Sequence, residues 1–163
     1  MRAPRRELDL KAARLTAGDL LARRAWTRAE LLARLQRRGA PPDVAAAVTD
    51  DLVARGYVDD AAFARHWVTT RAARGFGAAR LRAELRARGV ATPIIEVALA
   101  AVDRGGQVDE VRRLARRRLP ALTRRAPEKA AARLRDHLLR RGFPGGVVAQ
   151  VVREALRLPR HEA

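Results

Sequence analysis

Leucines spaced four residues apart recur in three stretches of the chain, at residues 31–39, 81–89 and 134–142. Each stretch has the pattern Leu-x3-Leu-x2-Arg-Gly. Side chains four residues apart share one face of an α-helix, so each stretch predicts a helix with one apolar face. The arginine suits the negative end of the helix dipole, and the glycine adopts the left-handed conformation that ends a helix. Because an apolar segment follows every glycine, each pattern predicts two helices joined by a sharp turn.

A third helix is predicted before each of these pairs. A hydroxyl followed three residues later by a carboxylate is typical of a capping box, and Thr16–Asp19 and Thr27–Glu30 predict helix starts near residues 17 and 28. In the second repeat we expect a helix from about residue 59 to residue 74, which Gly75-Phe76-Gly77 then breaks. The Asp59-Asp60 pair has the residue types of a metal or acid–base site. A helix cap followed by a first-turn acid explains the pair better.

The remaining helix starts complete a predicted all-α fold. Thr92-Pro93 predicts an N-cap and the first residue of a helix, and a helix near residues 108–119 leads through Pro120 and Pro127 into the third pair. We therefore expect three tandem three-helix repeats, at 15–58, 59–105 and 106–163, behind a flexible basic arm at 1–14. Helical repeats of this kind stack into elongated, curved bodies.

Composition excludes several classes of function. The chain contains no cysteine and no serine, which excludes disulfides, thiolate nucleophiles, cysteine-based zinc sites and Ser-His-Asp catalysis. Its three histidines lack the spacing of metal ligands. We therefore predict no catalytic residue, metal or cofactor. Since no apolar run could span a membrane and no secretory signal is recognisable, we expect a cytoplasmic protein.

Positive charge dominates the surface chemistry. The chain has 35 basic and 18 acidic residues, a net charge of +17, and residues 106–163 alone carry 15 basic and 6 acidic residues. Such self-repulsion predicts a polyanionic partner. Arg112, Arg113, Arg116 and Arg117 are predicted on one face of their helix. The candidate residues for binding nucleic acid or a protein partner are Arg82, Arg86, Arg112, Arg113, Arg116, Arg117, Arg124, Arg125, Arg140 and Arg141.

One stretch carries a more specific signal. Residues 56–64, Gly-Tyr-Val-Asp-Asp-Ala-Ala-Phe-Ala, followed by Trp67-Val68 and Arg71, resemble the Gly-Tyr-(Ile/Leu/Val)-Asp-Asp-x2-Phe-Ala signature of the RecX family. Residues 75–90 look like the central block of the same family, and residues 27–39 also match. The resemblance covers about residues 15–156 and is looser in the third repeat. Where many relatives have Lys-Gly this chain has Arg-Gly, which preserves the charge.

The resemblance implies a non-enzymatic regulator of the RecA recombinase with a tandem three-helix fold. Members of the family bind the helical groove of RecA filaments on single-stranded DNA and limit filament growth or promote disassembly. The implied effects are inhibited ATP hydrolysis, strand exchange and co-protease activity, which damp recombinational repair and the SOS response. Many relatives also bind DNA. The expected partners are therefore the RecA filament and single- and double-stranded DNA, and we expect a monomer.

Two other functions compete with this interpretation. A stand-alone DNA-binding protein, of helix-turn-helix or nucleoid type, would explain the helix–glycine–helix units and the charge. Against it, residues 94–102 and 147–152 are mostly apolar, so they predict buried helices and not polar recognition helices. A purely structural helical scaffold is a third interpretation, and it leaves the charge of residues 106–163 unexplained. We also expect salt-sensitive DNA binding, with about five or more phosphates neutralised.

Overall fold

α-Helices form in all three repeats. The computed structural model describes residues 7–102 and 104–157. These residues contain no β-strand, so the predicted all-α fold of three-helix repeats is confirmed. A short 3-10 turn, Pro127–Lys129, precedes the eighth helix. The helices are α1 (Leu10–Arg23), α2 (Arg28–Arg37), α3 (Pro42–Ala54), α4 (Asp60–Ala72), α5 (Ala78–Ala87), α6 (Thr92–Ala100), α7 (Arg104–Arg125), α8 (Ala130–Arg140) and α9 (Gly145–Arg157).

The described residues form two compact units. Unit 1 consists of those within Met1–His66 together with Leu85–Ile95, and unit 2 consists of Trp67–Glu84 together with those within Glu96–Ala163. The division falls inside the second predicted repeat, because α4, α5 and α6 each contribute residues to both units.

The core of unit 1 lies between α1, α2 and α3. Leu31 and Leu35, the leucines of the first repeated pattern, are fully buried against Val48 of α3 and the small side chains of α1. Trp26 packs at the edge of this core, and its Nε1 donates to the carbonyl oxygen of Leu20 at 3.0 Å. Each buried leucine contributes about 1.5–3 kcal/mol relative to an exposed one.

The core of unit 2 repeats this arrangement between α7, α8 and α9. Leu134 and Leu138 are fully buried against Val111 of α7 and Val148 and Val151 of α9. Since leucines at the same two pattern positions are buried in both units, the leucine pattern marks the core-facing side of its helix.

The first helix starts earlier than predicted. Asp9 caps α1 by accepting from the backbone N–H of Ala12 at 2.8 Å, and Ala13 is fully buried. The flexible arm predicted for residues 1–14 is therefore wrong from Leu10 onward, and residues 1–6 lie outside the described residues. Thr16 is not a cap, because its hydroxyl donates to the carbonyl of Ala12 inside the helix. The alanine side chains of this segment suit a helix and fill the core stripe of unit 1.

The other caps follow the sequence more closely. The Thr27–Glu30 capping box is confirmed, with both reciprocal hydrogen bonds present. Asp59 accepts from the N–H of Ala62 at 2.9 Å, which confirms its role as the cap of α4. Thr92 is the first residue of α6 and not its N-cap.

The seventh helix passes through Pro120, where a break was expected, and ends at Arg125. Proline inside a helix removes one backbone hydrogen bond and crowds the preceding turn. Here Pro120 is exposed, while Leu119 and Leu122 on either side of it pack against the core of unit 2. Burial on both sides of the proline therefore keeps the helix continuous.

Candidate functional site

In unit 1, the Arg-Gly end of α5 lies against the start of α2. The Thr27 hydroxyl donates to the carbonyl oxygen of Arg88 at 2.6 Å, and the Arg88 guanidinium pairs with Glu30 at 2.6 Å. Gly89 has a positive φ of 77°, and a Cβ there would overlap Ala29. The arginine and glycine of the second pattern therefore join two repeats as well as ending a helix.

In unit 2, the Arg-Gly end of α8 lies against the start of α5 in the same way. The backbone N–H of Gly77 donates to the carbonyl oxygen of Arg141 at 2.7 Å, and that of Ala79 donates to Gly142 at 3.2 Å. The N–H groups at the start of a helix and the carbonyl groups at its end have no partner within their own helix. These bonds join the two kinds of group across the junction. Gly142 has a φ of 89°, and a Cβ there would overlap the backbone of Arg80.

A basic groove lies beside this second junction. The Arg141 guanidinium donates to the carbonyl oxygens of Arg74 and Gly75 at 2.9 and 3.1 Å, and it lies 4.9 Å from the centre of the Phe76 ring. These contacts hold Arg141 in the wall of the groove. We call this space of about 400 Å³ the unit 2 groove; it is lined by Ala73, Arg74, Arg113, Leu114, Arg117, Arg118, His137 and Arg141.

The unit 2 groove carries strong positive charge. Five of its eight lining residues are arginines, and no carboxylate lies among them. Arg113 is paired with Glu110 through two hydrogen bonds of 2.9 and 2.6 Å. Arg74, Arg117 and Arg118 form no ion pair with any carboxylate of the described chain. Guanidinium groups without carboxylate partners are available to an anion.

His137 is the titratable group of this groove. Its Nε2 accepts a hydrogen bond from Nε of Arg141 at 3.3 Å. Burial lowers the pKa of His137 below its ordinary value, and the positive charges of Arg141, Arg118 and Arg140 lower it further. The imidazole is therefore neutral at pH 7.

Unit 1 contains a second basic groove, of about 550 Å³. Arg24 stacks on the ring of Trp26, with 3.4 Å between its Cζ and the ring centre, and Glu30 supplies the carboxylate among the lining residues. The Nε of Arg34 is buried without a hydrogen-bond partner within the described chain, which is rare for a buried donor. We call this space the unit 1 groove; it is lined by Arg24, Trp26, Ala29, Glu30, Ala33, Arg34, Arg37, Arg86, Ala87, Arg88 and Gly89.

The four arginines predicted on one face of α7 lie on two sides of it. Arg113 and Arg117 line the unit 2 groove, whereas Arg112 and Arg116 line a small cavity beside α9. The one-face prediction is wrong because adjacent helical residues are rotated by about 100°, so pairs four apart share a side and the two pairs diverge.

Arg112 is occupied by carboxylates and is not free to bind an anion. It donates to both carboxylate oxygens of Glu154, at 2.9 and 3.2 Å, and to Asp109 at 3.1 Å. The hydrogen bonds from Arg112 and then Gln150 lower the pKa of Glu154 to about 2. This pair ties α7 to α9 within unit 2.

The other predicted arginines lie in different environments. Arg82 forms two hydrogen bonds with Glu96, at 2.6 and 3.0 Å, which raise its pKa. Arg86 lines the unit 1 groove. The pair at 124–125 is exposed in the last turn of α7, and Arg140 is exposed in the last turn of α8. The structure therefore brings together Arg113, Arg117 and Arg141 but not the whole predicted set.

Sequence reasoning missed several groove residues. Arg74 and His137 line the unit 2 groove with Arg118, and Arg34 lines the unit 1 groove with Trp26. Arg118 follows directly after the predicted arginines of α7, so its neighbours gave a signal. Arg74 and His137 are 63 residues apart in the chain, and only tertiary packing brings them together.

Comparison with known proteins assigns the family. Models of the first, second and third three-helix domains of RecX match residues 13–52, 59–99 and 107–152. Regulatory protein RecX of Mycobacterium avium (strain 104) is 42% identical over 135 residues, which cover 82% of this chain and 78% of the relative. The chain belongs to the RecX family. Regulatory protein RecX of Thermobifida fusca (strain YX) is 41% identical over 150 residues, which cover 91% of this chain and 81% of the relative.

Solved structures agree on the fold. The crystal structure of RecX from Lactobacillus salivarius superposes with a TM-score of 0.80 at 19% sequence identity, and the match covers 91% of this chain and 97% of that one. The three RecX domains overlap α1–α3, α4–α6 and α7–α9, so the unit 2 groove combines residues of the second and third domains.

Two kinds of feature are missing from the described part of this RecX chain. No helix within residues 7–102 and 104–157 has both the length and the apolar character to cross a membrane. The same residues hold no group of three or more histidine, aspartate or glutamate side chains arranged to bind a metal ion.

Proposed function

We propose that this RecX chain binds RecA and RecA filaments on single-stranded DNA and mainly inhibits their recombinase, ATPase and co-protease activities. Recombination and the SOS response are damped as a consequence. The observation that carries the proposal is the match of all three RecX helical domains, in order, along one chain. The relatives that share about 40% identity are named regulatory proteins, which supports a regulatory role. The chain acts in the cytoplasm, as a monomer.

A protein that regulates by binding changes a filament only through a difference in affinity between two filament states. To inhibit, this chain has to bind non-growing or disassembling filaments more tightly than growing ones. No catalytic residue is needed for that effect. An elongated, curved arrangement of the three repeats remains the prediction for how it spans the filament.

In this proposal the unit 2 groove contacts the phosphates of both single-stranded and double-stranded DNA. Arginine binds phosphate oxygens in bidentate fashion, and each neutralised phosphate releases condensed counterions. Arg74, Arg117 and Arg118 supply the charge, since no described carboxylate pairs with them. Arg82 and Arg112 already pair with Glu96 and Glu154, so they serve the fold more than the DNA.

The RecA-dependent ATPase on single-stranded DNA tests the proposal. Added at an equimolar ratio to RecA, the chain is expected to lower the ATPase rate. A variant with Arg74, Arg117 and Arg118 replaced by alanine is expected to inhibit less. The matched control replaces Arg14, Arg65 and Arg157 by alanine. These three residues lie exposed outside both grooves, so the control variant loses the same number of positive charges. An ATPase rate that the wild-type chain leaves unchanged would refute the proposal.

The alternative is a stand-alone DNA-binding protein. Its helix-turn-helix form needs a polar helix that enters the major groove. The helices that follow the glycine turns instead bury apolar residues, Ile95 and Ala98 in α6 and Val148 and Val151 in α9. Sequence-specific footprints on DNA in the absence of RecA would favour the alternative over the RecA proposal.

A further inference from the structure

The unit 2 groove encloses a neutral imidazole among guanidinium groups. His137 is half-buried, and its Nε2 accepts from Arg141, a bond that requires this nitrogen to be unprotonated. A half-buried histidine beside several guanidinium groups is an unusual component of a surface that serves solubility alone. Its position suggests a ligand of opposite charge.

We propose that the unit 2 groove is a binding site for a phosphate oxyanion, and that His137 takes up one proton from solvent when the site is occupied. The site needs no RecA, so the inference goes beyond the regulation proposed above. Where the phosphate belongs to a DNA backbone, the inference rests on the DNA contact in that proposal.

The walls of the groove are already arranged for an oxyanion. Arg141 is held by two backbone carbonyl oxygens and by the Phe76 ring, so its orientation is set before any ligand arrives. Arg117 and Arg118 reach the groove from the exposed side of α7. Because Arg141 is already fixed, only the exposed arginines have to be ordered when a tetrahedral anion binds.

The charged groups around His137 come from three segments. They are Arg113, Arg117 and Arg118 of α7, Arg74 after α4, and Arg140 and Arg141 at the end of α8. Among the described residues, the carboxylate near this set is that of Glu110, which pairs with Arg113 and also lies beside Gly75, close to the Arg141 guanidinium. In the empty groove, proton uptake would add a positive charge to this set.

An oxyanion reverses this balance. A negative charge beside an imidazole favours the protonated form and raises the pKa of the ring. Once protonated, Nε2 becomes a donor, and Nε2 of His137 and Nε of Arg141 can both donate to the anion. The proton comes from hydronium in the solvent, whose O–H bond breaks as the Nε2–H bond of His137 forms, and no other covalent bond changes.

The linkage has a definite sign. Because the occupied site binds one proton more than the empty one, affinity rises as pH falls between the two pKa values of His137. One linked proton changes the dissociation constant by at most about tenfold per pH unit. We expect an increase in affinity of about fivefold or more between pH 7.5 and pH 5.5.

The test uses two probes that do not titrate in this pH range. Sulfate is a free tetrahedral oxyanion, and a twelve-residue oligothymidylate carries only phosphodiesters. Binding of each is measured at pH 7.5, 6.5 and 5.5 for the wild type, His137→Gln and His66→Gln. His66 is an exposed histidine of unit 1 outside both grooves, so its variant is the matched control. The ring proton signals of His137 are followed by NMR with and without sulfate.

The expected result is pH-dependent binding in the wild type and in His66→Gln that disappears in His137→Gln, with an upward shift of the His137 titration when the probe is bound. If both probes behave in this way, a free phosphate group suffices; if only the oligonucleotide does, the phosphate is that of a nucleic acid. Wild-type binding that does not change with pH, or an unshifted His137 titration in the presence of a bound probe, would overturn the inference. Neither result involves RecA, so it leaves the ATPase test independent.

Discussion

Replacement of Gly142 by alanine tests the junction between the repeats of unit 2. Gly142 has a φ of 89°, in the left-handed region where a Cβ meets the backbone. The added Cβ would also overlap the backbone N and Cα of Arg80 and its Cβ. These atoms belong to the first turn of α5, so they cannot move aside as the tip of a flexible side chain can.

The expected loss of stability has two parts. The left-handed conformation costs an L-residue about 1–2 kcal/mol. Overpacking against rigid neighbours costs about 1–3 kcal/mol. We therefore expect Gly142→Ala to lower the free energy of unfolding by about 2–5 kcal/mol.

Two further glycines separate these parts. Gly56 has a φ of 76°, and no atom lies within 4 Å of the place that a Cβ would take, so Gly56→Ala carries the conformational cost alone. Gly146 lies in the first turn of α9 with open space around it and no positive φ. Gly146→Ala is expected to be neutral or to stabilise by up to about 1 kcal/mol. It is the matched control within unit 2.

The assay is urea unfolding followed by far-ultraviolet circular dichroism, analysed by linear extrapolation. The expected order of stability is Gly146→Ala, then Gly56→Ala, then Gly142→Ala. If the free energies of unfolding of Gly142→Ala and Gly146→Ala differ by less than about 0.5 kcal/mol, the close approach of the two repeats is refuted. The same variant is expected to bind oligothymidylate more weakly, because displacement of this turn moves Arg141.

Three further predictions concern separate contacts. Because hydrogen bonds from Arg112 lower the pKa of Glu154 to about 2, its ionised form stabilises the fold above the unfolded pKa of about 4.3, and this contribution is lost as pH falls towards 2. Glu154→Gln is therefore expected to unfold less steeply over that range in a circular dichroism acid titration, and identical acid curves would contradict this. Replacing Arg117 and Arg118 by alanine is expected to reduce the salt slope of oligothymidylate binding, measured by fluorescence anisotropy, by about 1.4, whereas Arg112→Ala leaves it unchanged. An equal reduction in both variants would show that Arg112 is not neutralised. Thr27→Ala, which removes the α2 cap and the bond to the next repeat, is expected to cost about 1–2 kcal/mol in urea unfolding, while Thr27→Ser retains most of the stability; equal values for the two variants would count against the cap.

The helices could be predicted from the sequence because their signals are local. Leu31 precedes Leu35 by four residues, and Leu134 precedes Leu138 by four. This spacing places each pair on one face of a single helix, so it can be read without knowledge of the tertiary structure. The errors arose where tertiary burial outweighed a local signal. Burial of Leu119 and Leu122 keeps α7 helical on both sides of its proline. Burial of Ala13 stabilises an earlier start of α1, at Leu10.

The candidate site could be predicted only in part, because charge is visible in a sequence and pairing is not. Arg112 and Arg117 both lie in arginine runs of α7, yet Glu154 pairs with the first and no described carboxylate pairs with the second. The partners Arg74 and His137 come from distant segments. The role of Arg141 and Gly142 in joining repeats follows from a contact with a helix that begins more than 60 residues earlier.

Co-sedimentation with preformed RecA filaments tests the central claim most directly. Filaments are assembled on oligothymidylate with a non-hydrolysable ATP analogue, and the chain is added at physiological salt, with RecA-free oligothymidylate as the control. We predict that the wild-type chain pellets with the filaments and that the variant lacking Arg74, Arg117 and Arg118 is retained at least several-fold less. A wild-type chain that stays in the supernatant, or that pellets to the same extent as this variant, would contradict a RecA-filament regulator that binds through the unit 2 groove.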